Sequence, residues 1–352
     1  MMHVTVEKES VRISPQDLKD VAAKLLSKVG VPEEQALRAA DVMVNADLKG
    51  VESHGVRWLD IYLKRIQAGS VNPVTDLKVI QEKAGLLLLD AQNGLGQVAL
   101  SKGVEMGIAK ARTAGVCAVG VRNTNHCGAL GYYAEMATKA NMAAIVMTNG
   151  TPLMAPWGGV TPCIGTNPIS FATPGTEGPV ILDMATSASA RGKVFVAAQK
   201  GTKLPDGIAL NKAGEPTTDP QEALEGLLLP VGGPKGYGLS LIIDIMAGIM
   251  TGSNHGQNIT SLYGDLENAQ HIGHFAVIVN IDDFLPLTDF FAGMQQSRRE
   301  LKGSKLAKGF DQIFLPGEIE ANTVRQRKQQ GAVIPVATWN ILQDWLKQLN
   351  IQ

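Results

Sequence analysis

Four stretches of the chain set reactive side chains among glycines and prolines, apart from any apolar stripe. The first is Glu52-Ser53-His54-Gly55-Val56-Arg57, with Tyr62 about one helical turn further on. A Ser-His-Gly turn that opens a helix can offer an imidazole, a hydroxyl and free backbone donors to an anion. A plainer account is a helix capped by Ser53, with His54 idle at the surface. The second is Asn123-Thr124-Asn125-His126-Cys127-Gly128-Ala129, which follows an apolar run and places His126 in a loop at the carboxyl end of a strand. Imidazole takes and gives a proton near neutral pH, as hydride removal from an alcohol requires. A structural histidine hydrogen-bonded in a loop explains the residue equally well. The third runs through Thr148-Asn149-Gly150-Thr151-Pro152, Ala155-Pro156-Trp157-Gly158-Gly159 and Gly165-Thr166-Asn167-Pro168. Such small and turn-forming residues suit loops whose backbone comes close to a ligand, and also ordinary packed turns. The fourth, Gly232-Gly233-Pro234-Lys235-Gly236-Tyr237-Gly238, leads into an apolar helix whose N-terminus and lysine could hold a pyrophosphate.

Other chemistries fit less well. Gly94-Leu95-Gly96-Gln97-Val98-Ala99 matches the dinucleotide fingerprint, but the second strand ends in Val121-Arg122-Asn123 with no ribose-binding carboxylate. A glycine turn between strand and helix is the better reading, although Arg122 would suit a 2′-phosphate. The Lys235 segment lacks the order of a Walker A loop, and no G-x-S-x-G elbow marks a serine hydrolase. His271 and His274, with Asp265 and Glu267 nearby, lack further ligands at a supporting spacing, so no metal site is expected.

These segments need elements to hold them. Ser14-Pro15 reads as a helix start, with Leu18, Val21, Ala22, Leu25, Leu26 and Val29 forming one stripe that ends at Gly30. A second helix is expected from Pro32 to about Leu48 and a third through Leu59, Tyr62, Leu63 and Ile66. The middle of the chain changes to short apolar runs at 85–90, 116–121, 143–147, 180–182 and 274–281 that suit buried strands, with a helix near 97–112. Phe290–Leu301 and Ala337–Leu349 return to helical spacing, and Leu239–Met250 reads as a buried helix. The expected fold is α/β of the α+β type, with residues 76–287 forming a mixed α/β core domain. Residues 1–75 and 288–352 form a discontinuous helical domain.

The 32 basic and 33 acidic side chains nearly cancel, so the chain has no general attraction for nucleic acid or acidic membranes. Three cysteines without a C-x-x-C pair argue against a disulfide framework and for a cytoplasmic setting. Residues 1–14 hold no apolar run of the signal-peptide kind, and 239–250 is too short to span a bilayer.

Taken together and in this order, the motifs resemble the malate/L-lactate dehydrogenase family, which is distinct from the Rossmann-type enzymes of similar name. The matching stretches are Asp47 to Gly55, Asn125 to Gly128, Ala155 to Gly159, Gly165 to Pro168, Asp183 to Ser187, Pro216 to Pro220, Gly233 to Gly238 and Leu315 to Glu318. They span nearly the whole chain. The resemblance implies that residues 76–287 form a mixed-sheet cofactor-binding domain of non-Rossmann topology. It also implies a homodimer that moves a hydride between NAD, or alternatively NADP, and a small 2-hydroxy acid of the malate or lactate type. Ureidoglycolate, sulfolactate and cyclic imino-acid substrates occur on the same scaffold. A silent dinucleotide-binding protein is the non-enzymatic alternative, and the retention of both histidines weighs against it.

The resemblance also implies roles. His126 is the expected acid/base, with His54, assigned that role in some members, beside the substrate or nicotinamide. Ser53, Gly150, Thr151, Thr166, Asp183, Met184, Ala185, Thr186, Ser187, Lys235, Gly236, Pro316, Gly317 and Glu318 are the expected cofactor contacts. Gly150 stands where serine is usual, so the contact expected there is lost or passes to Thr151. Many members carry an arginine where Trp58 stands; here Arg57 comes one residue earlier. A guanidinium clamps a carboxylate bidentately, so Arg57, assisted by Tyr62, is the expected substrate clamp.

Overall fold

The structure, a computed structural model, describes residues 4–6 and 9–351. Its first unit is helical. α1 (Pro15–Lys28) starts where Ser14 accepts a hydrogen bond from the Asp17 amide at 3.0 Å, and it buries Leu18, Val21, Leu25 and Leu26. α2 (Glu33–Leu48) packs along it, and α3 (Leu59–Gln67) follows two short 3₁₀ turns, Glu52–His54 and Val56–Trp58. The C-terminal helix Val336–Gln348 adds Trp339, Leu342 and Trp345 to the same core. Strands Ser10–Ile13 and Ala332–Pro335 pair antiparallel and tie the two chain ends together. Each large apolar side chain buried here contributes roughly 1.5–3 kcal/mol, so residues distant in sequence act as one body.

The second core is a seven-stranded mixed sheet. Its order is Val180–Met184, Ile169–Thr173, Met142–Thr148, Ile272–Asn280, Val116–Thr124, Leu86–Asp90 and Lys78–Lys83. Only Leu86–Asp90 and Val116–Thr124 run parallel; every other neighbouring pair is antiparallel. The fold is thus α/β with a mixed sheet, unlike a doubly wound parallel one. α4 (Gly96–Ala114) and α5 (Gly131–Thr138) cover one face. α4 lies close because Gly103 and Gly107 carry no side chain; a methyl at Gly107 would meet Val119 and Ile278.

The fingerprint-like turn at the start of α4 is filled by protein. A side chain on Gly96 would run into the Asn125 carbonyl, and Asn125 Nδ2 donates to the carbonyls of Asn93 and Gly94 at 3.1 and 2.9 Å. Arg122 is spent on Asp90, Nε to Oδ2 at 2.9 Å.

A small lobe lies between sheet strands. α6 (Arg191–Lys200) and α7 (Pro220–Glu225) pack with strands Ala209–Leu210, Pro216–Thr217 and Leu227–Leu228 around Met154, Ile164, Val194 and Leu204. α8 (Pro234–Ile243) runs into a π-helical turn, Asp244–Ile249. The expectation of a buried helix here needs correction. Ile243 and Ala247 pack under the sheet, but Leu241, Ile242, Ile245, Ile249 and Met250 are exposed, Met250 by 61%. The run is apolar on all sides, and its sequence does not say which side is covered. Asp244, the one charge in the run, accepts from Asn149 Nδ2 at 2.9 Å and the Gly256 amide at 3.0 Å.

α9 (Leu287–Lys302) has no buried residue and ties to the Glu177 turn through Arg298. α10 (Glu318–Gln330) follows Gly317, whose φ of 90° suits glycine alone without strain. The edge strand Lys78–Lys83, exposed throughout, was not foreseen because it carries no alternating apolar pattern. No helix among the described residues is long and apolar enough to cross a membrane.

Candidate active site

One cavity of about 1120 Å³ opens between the helical unit, the sheet, the small lobe and α10. The two histidine motifs meet on its wall. The 3₁₀ turns after α2 present Ser53, His54 and Arg57, and the loop after the Val116–Thr124 strand presents His126. The rings of His54 and His126 stack with centroids 5.9 Å apart, and Trp58 closes against His126 at 5.2 Å.

Buried polar groups hold this wall. Asp47, at the end of α2, accepts the Val56 amide at 2.9 Å, and its carboxyl fills the space a side chain on Gly55 would need. Burial pushes the Asp47 pKa up to about 8, with the Val56 amide opposing. Arg327 of α10 donates to the Asp47 carbonyl at 2.6 Å and to Glu52 at 2.9 Å. Trp58 turns inward and donates to the Ser53 carbonyl at 2.5 Å, which leaves Arg57 exposed and in the cavity lining.

Tyr62 stands behind His126. Its buried hydroxyl lies 2.6 Å from His126 Nδ1, and it does not line the cavity. This geometry makes it a support for the imidazole, whereas the sequence paired it with Arg57 at the carboxylate. The buried Gln97 amide stands against the same hydroxyl. With Nδ1 engaged, Nε2 is the nitrogen of His126 left for the cavity. His54 Nδ1 is likewise engaged by Ser53 Oγ at 2.9 Å. Burial lowers the His126 pKa to about 3, with His54 and His274 adding to it. Burial and then Arg57 lower that of His54 to about 4. Both imidazoles are neutral at pH 7.

Of the expected cofactor contacts, Ser53, Gly150, Thr151, Thr166, Asp183, Met184, Ala185, Pro316, Gly317 and Glu318 line the cavity. Thr186 and Ser187 do not: their hydroxyls donate to the carbonyls of Thr166 and Ser189 at 3.0 and 2.8 Å, and both are buried. Lys235 and Gly236 open α8 outside the lining, with Lys235 exposed. At Gly150 a side chain would meet nothing within 4 Å, so the usual serine position is open space. The neighbouring Thr151 hydroxyl is held by the Thr260 carbonyl at 3.2 Å and the Leu262 amide at 3.3 Å. Among the described residues no group of three or more His, Cys, Asp or Glu is placed to hold a metal.

Several lining groups escaped the sequence reading. Arg191, Tyr263 and Gln270 reach the cavity from segments far from both histidine motifs, and the buried Gln270 Oε1 has no partner. Arg191 comes just after the Asp183–Ser187 match, so its charge among small residues was the available signal. The far end is built from ion pairs: Lys49–Glu135 at 2.6 Å, Arg298 with Glu177 and Glu318 at 2.9 and 2.7 Å, and Lys302–Glu318 at 2.5 Å.

The cavity suits a dinucleotide with a small acid. Its volume of about 1120 Å³ lies just above the usual range of small-ligand sites, about 300–1,000 Å³. Gly150 gives a backbone approach free of side chain. The first turn of α10, including Ile319 and Glu320, faces the cavity with no side-chain cap on its amides, as a phosphate requires.

The sequence profile of the malate/L-lactate dehydrogenase family matches residues 13–343. An L-sulfolactate dehydrogenase of Methanocaldococcus jannaschii is 40% identical over 339 residues, covering 96% of this chain and 97% of that one. Its solved structure superposes with a TM-score of 0.91. The structure of malate dehydrogenase from Pyrococcus horikoshii gives a TM-score of 0.91 at 36% identity, covering 100% of this chain and 99% of the other. A ureidoglycolate dehydrogenase (NAD(+)) of Escherichia coli is 36% identical over 320 residues, 90% of each chain. With motifs, fold and near full-length similarity in agreement, the chain belongs to the malate/L-lactate dehydrogenase family.

Proposed function

We propose that the protein is a nicotinamide-dependent dehydrogenase that interconverts a small 2-hydroxy acid and its 2-oxo acid, with His126 moving the proton. The observation that carries this is His126, with Nδ1 2.6 Å from the Tyr62 hydroxyl and the ring on the wall of a cavity of dinucleotide size. A nicotinamide held in this cavity would supply the hydride acceptor in oxidation and the hydride donor in reduction. In oxidation His126 Nε2 takes the hydroxyl proton of the substrate as the C2–H bond breaks with its electron pair. For Nε2 to present a lone pair, Nδ1 must carry the proton and donate it to the Tyr62 oxygen. The same arrangement serves the imidazolium, which returns the proton to the alkoxide oxygen in reduction. A carboxylate beside His126 raises its pKa from the value in the free protein and so favours that state. General acid/base help of this kind is worth roughly 10²–10⁴-fold.

Arg57 holds the 2-carboxylate, and His54, kept neutral and oriented by Ser53, lies against the substrate or the nicotinamide. Gly150, Thr166, Asp183 to Ala185 and Pro316 to Glu318 hold the cofactor, for which NAD is the first assignment and NADP the alternative. The protein is a homodimer in this reading. The exposed apolar face of Leu241, Ile242, Ile245, Ile249 and Met250 supports that, and the free Cys117, Cys127 and Cys163 suit a cytoplasmic setting.

The test is a panel of pyruvate, oxaloacetate, sulfopyruvate, oxalurate and piperideine-2-carboxylate, each with NADH and NADPH. Oxidation of reduced cofactor that depends on a 2-oxo acid is the expected result. Turnover of the cyclic imine alone would make the protein an imino-acid reductase. Cofactor binding without turnover of any substrate would make it a silent dinucleotide binder.

A further inference from the structure

Two guanidiniums reach the reactive end of the cavity without a carboxylate partner. Arg57 follows His54, and Arg191 is the first residue of α6; both line the cavity, and neither forms an ion pair with any described residue. The start of α6 faces the Ser53–Arg57 turn: a methyl on Gly192 would stand 4.0 Å from Arg57 Nη1 and 3.9 Å from Ser53 Cβ. Arg191 is anchored from behind, with Nη2 donating to the Leu224 carbonyl at 3.0 Å, and its other N–H groups meet no acceptor among the described residues. The N-cap, Ala190, has no side chain able to bond the first amides of α6. Tyr263, tilted against Trp58 with ring centroids 5.0 Å apart, senses both cations: burial raises its pKa, and Arg57 and Arg191 oppose the rise.

The carboxylates in the cavity lining lie elsewhere. Glu135 is held by Lys49, Glu177 and Glu318 by Arg298 and Lys302, and Asp183 accepts the Gly131 amide at 2.7 Å with Glu320 acting on it. One guanidinium suffices to clamp a 2-carboxylate. A second at the same wall repels the first unless another anion lies between them or beside them. A monoanionic substrate leaves one positive charge uncompensated, and a dianion satisfies both.

We propose that Arg191 binds a second anionic group of the substrate, so that the enzyme prefers 2-hydroxy acids bearing a carboxylate or sulfonate on the next carbon over lactate-like and ureido substrates. The assignment rests on the hydroxy-acid function proposed above and gives Arg191 the role of a specificity residue. Arg57 keeps the 2-carboxylate.

Steady-state reduction of oxaloacetate, sulfopyruvate and pyruvate by the wild type, Arg191→Gln and Arg191→Lys tests it, with NADH fluorescence titration to verify folding and cofactor binding. The wild type should favour a dianion over pyruvate by about 100-fold in kcat/KM, as expected for a lost charge-assisted contact. Arg191→Gln should shrink that ratio to below about 5, chiefly through KM for the dianion, and Arg191→Lys should restore part of it. The choice between oxaloacetate and sulfopyruvate identifies the second group as carboxylate or sulfonate, and either choice supports the proposal. A wild-type ratio near one overturns it without any variant, as does an unchanged ratio in Arg191→Gln. Failure to turn over any 2-oxo acid while NADH still binds overturns the dehydrogenase function itself, a separate result.

Discussion

The two ends of the cavity treat charge in opposite ways. Around α9 and the start of α10, Arg298 and Lys302 meet Glu177 and Glu318 within 3 Å, and Lys49 meets Glu135. Around His126, Arg57 and Arg191 have no such partner, and both imidazoles are held neutral by burial. A charge that already has its partner keeps its place without a ligand, as Arg298, Lys302 and Lys49 do here. An unpaired end gains most when an anion arrives, because the ligand supplies what the protein withholds. The α10 end is therefore largely self-paired, and the His126 end is left for an anion to complete.

That contrast is best broken by removing a cation from the substrate end. Arg57→Ala should lower kcat/KM for 2-oxo acids by about 10²-fold, mostly through KM, given the cost of losing a hydrogen-bonded charge partner. NADH affinity should hold within a few-fold. An unchanged KM would remove Arg57 from the carboxylate and leave the contrast without its main support.

The sharper and smaller test concerns the support behind the histidine. Tyr62→Phe keeps the ring but deletes the oxygen 2.6 Å from His126 Nδ1, and kcat should fall about 10-fold, toward the low end of what general-base help supplies. KM should barely move. The pH dependence follows from the direction of the histidine shifts. With the His126 pKa lowered to about 3 in the free protein, the base form persists down to that region, so kcat/KM for hydroxy-acid oxidation should stay flat from pH 8 to below pH 5 and fall only in more acid solution. A limb near pH 6.5 would show a solvated histidine and contradict the burial argument.

Local signals were legible in the sequence wherever a short-range rule governs them. Ser14 and Pro15 mark the start of α1, and the apolar runs at 85–90, 116–121, 143–147 and 274–281 fall on the strands Leu86–Asp90, Val116–Thr124, Met142–Thr148 and Ile272–Asn280, largely buried in the sheet. Turn chemistry also pointed to the loops carrying His54 and His126. What the sequence leaves open is long-range. The stacking of His54 on His126 joins segments 72 positions apart in number, and no spacing rule brings Arg191 or Tyr263 to that wall. Tyr62 lies on the apolar stripe of α3, so its hydroxyl can serve substrate or histidine until the packing is known. Thr186, Ser187 and Lys235 are polar residues of the matched motifs whose groups bond to backbone or face outward, which spacing alone does not reveal.

The central claim is that one imidazole, tied at Nδ1 and open at Nε2, moves the proton. Its most direct test is turnover of His126→Ala alongside NADH binding by fluorescence. The account predicts a loss of roughly 10²–10⁴-fold in kcat with the dissociation constant for NADH little changed. Near-normal kcat in that variant, with either direction of the reaction, would contradict it and hand the proton to His54.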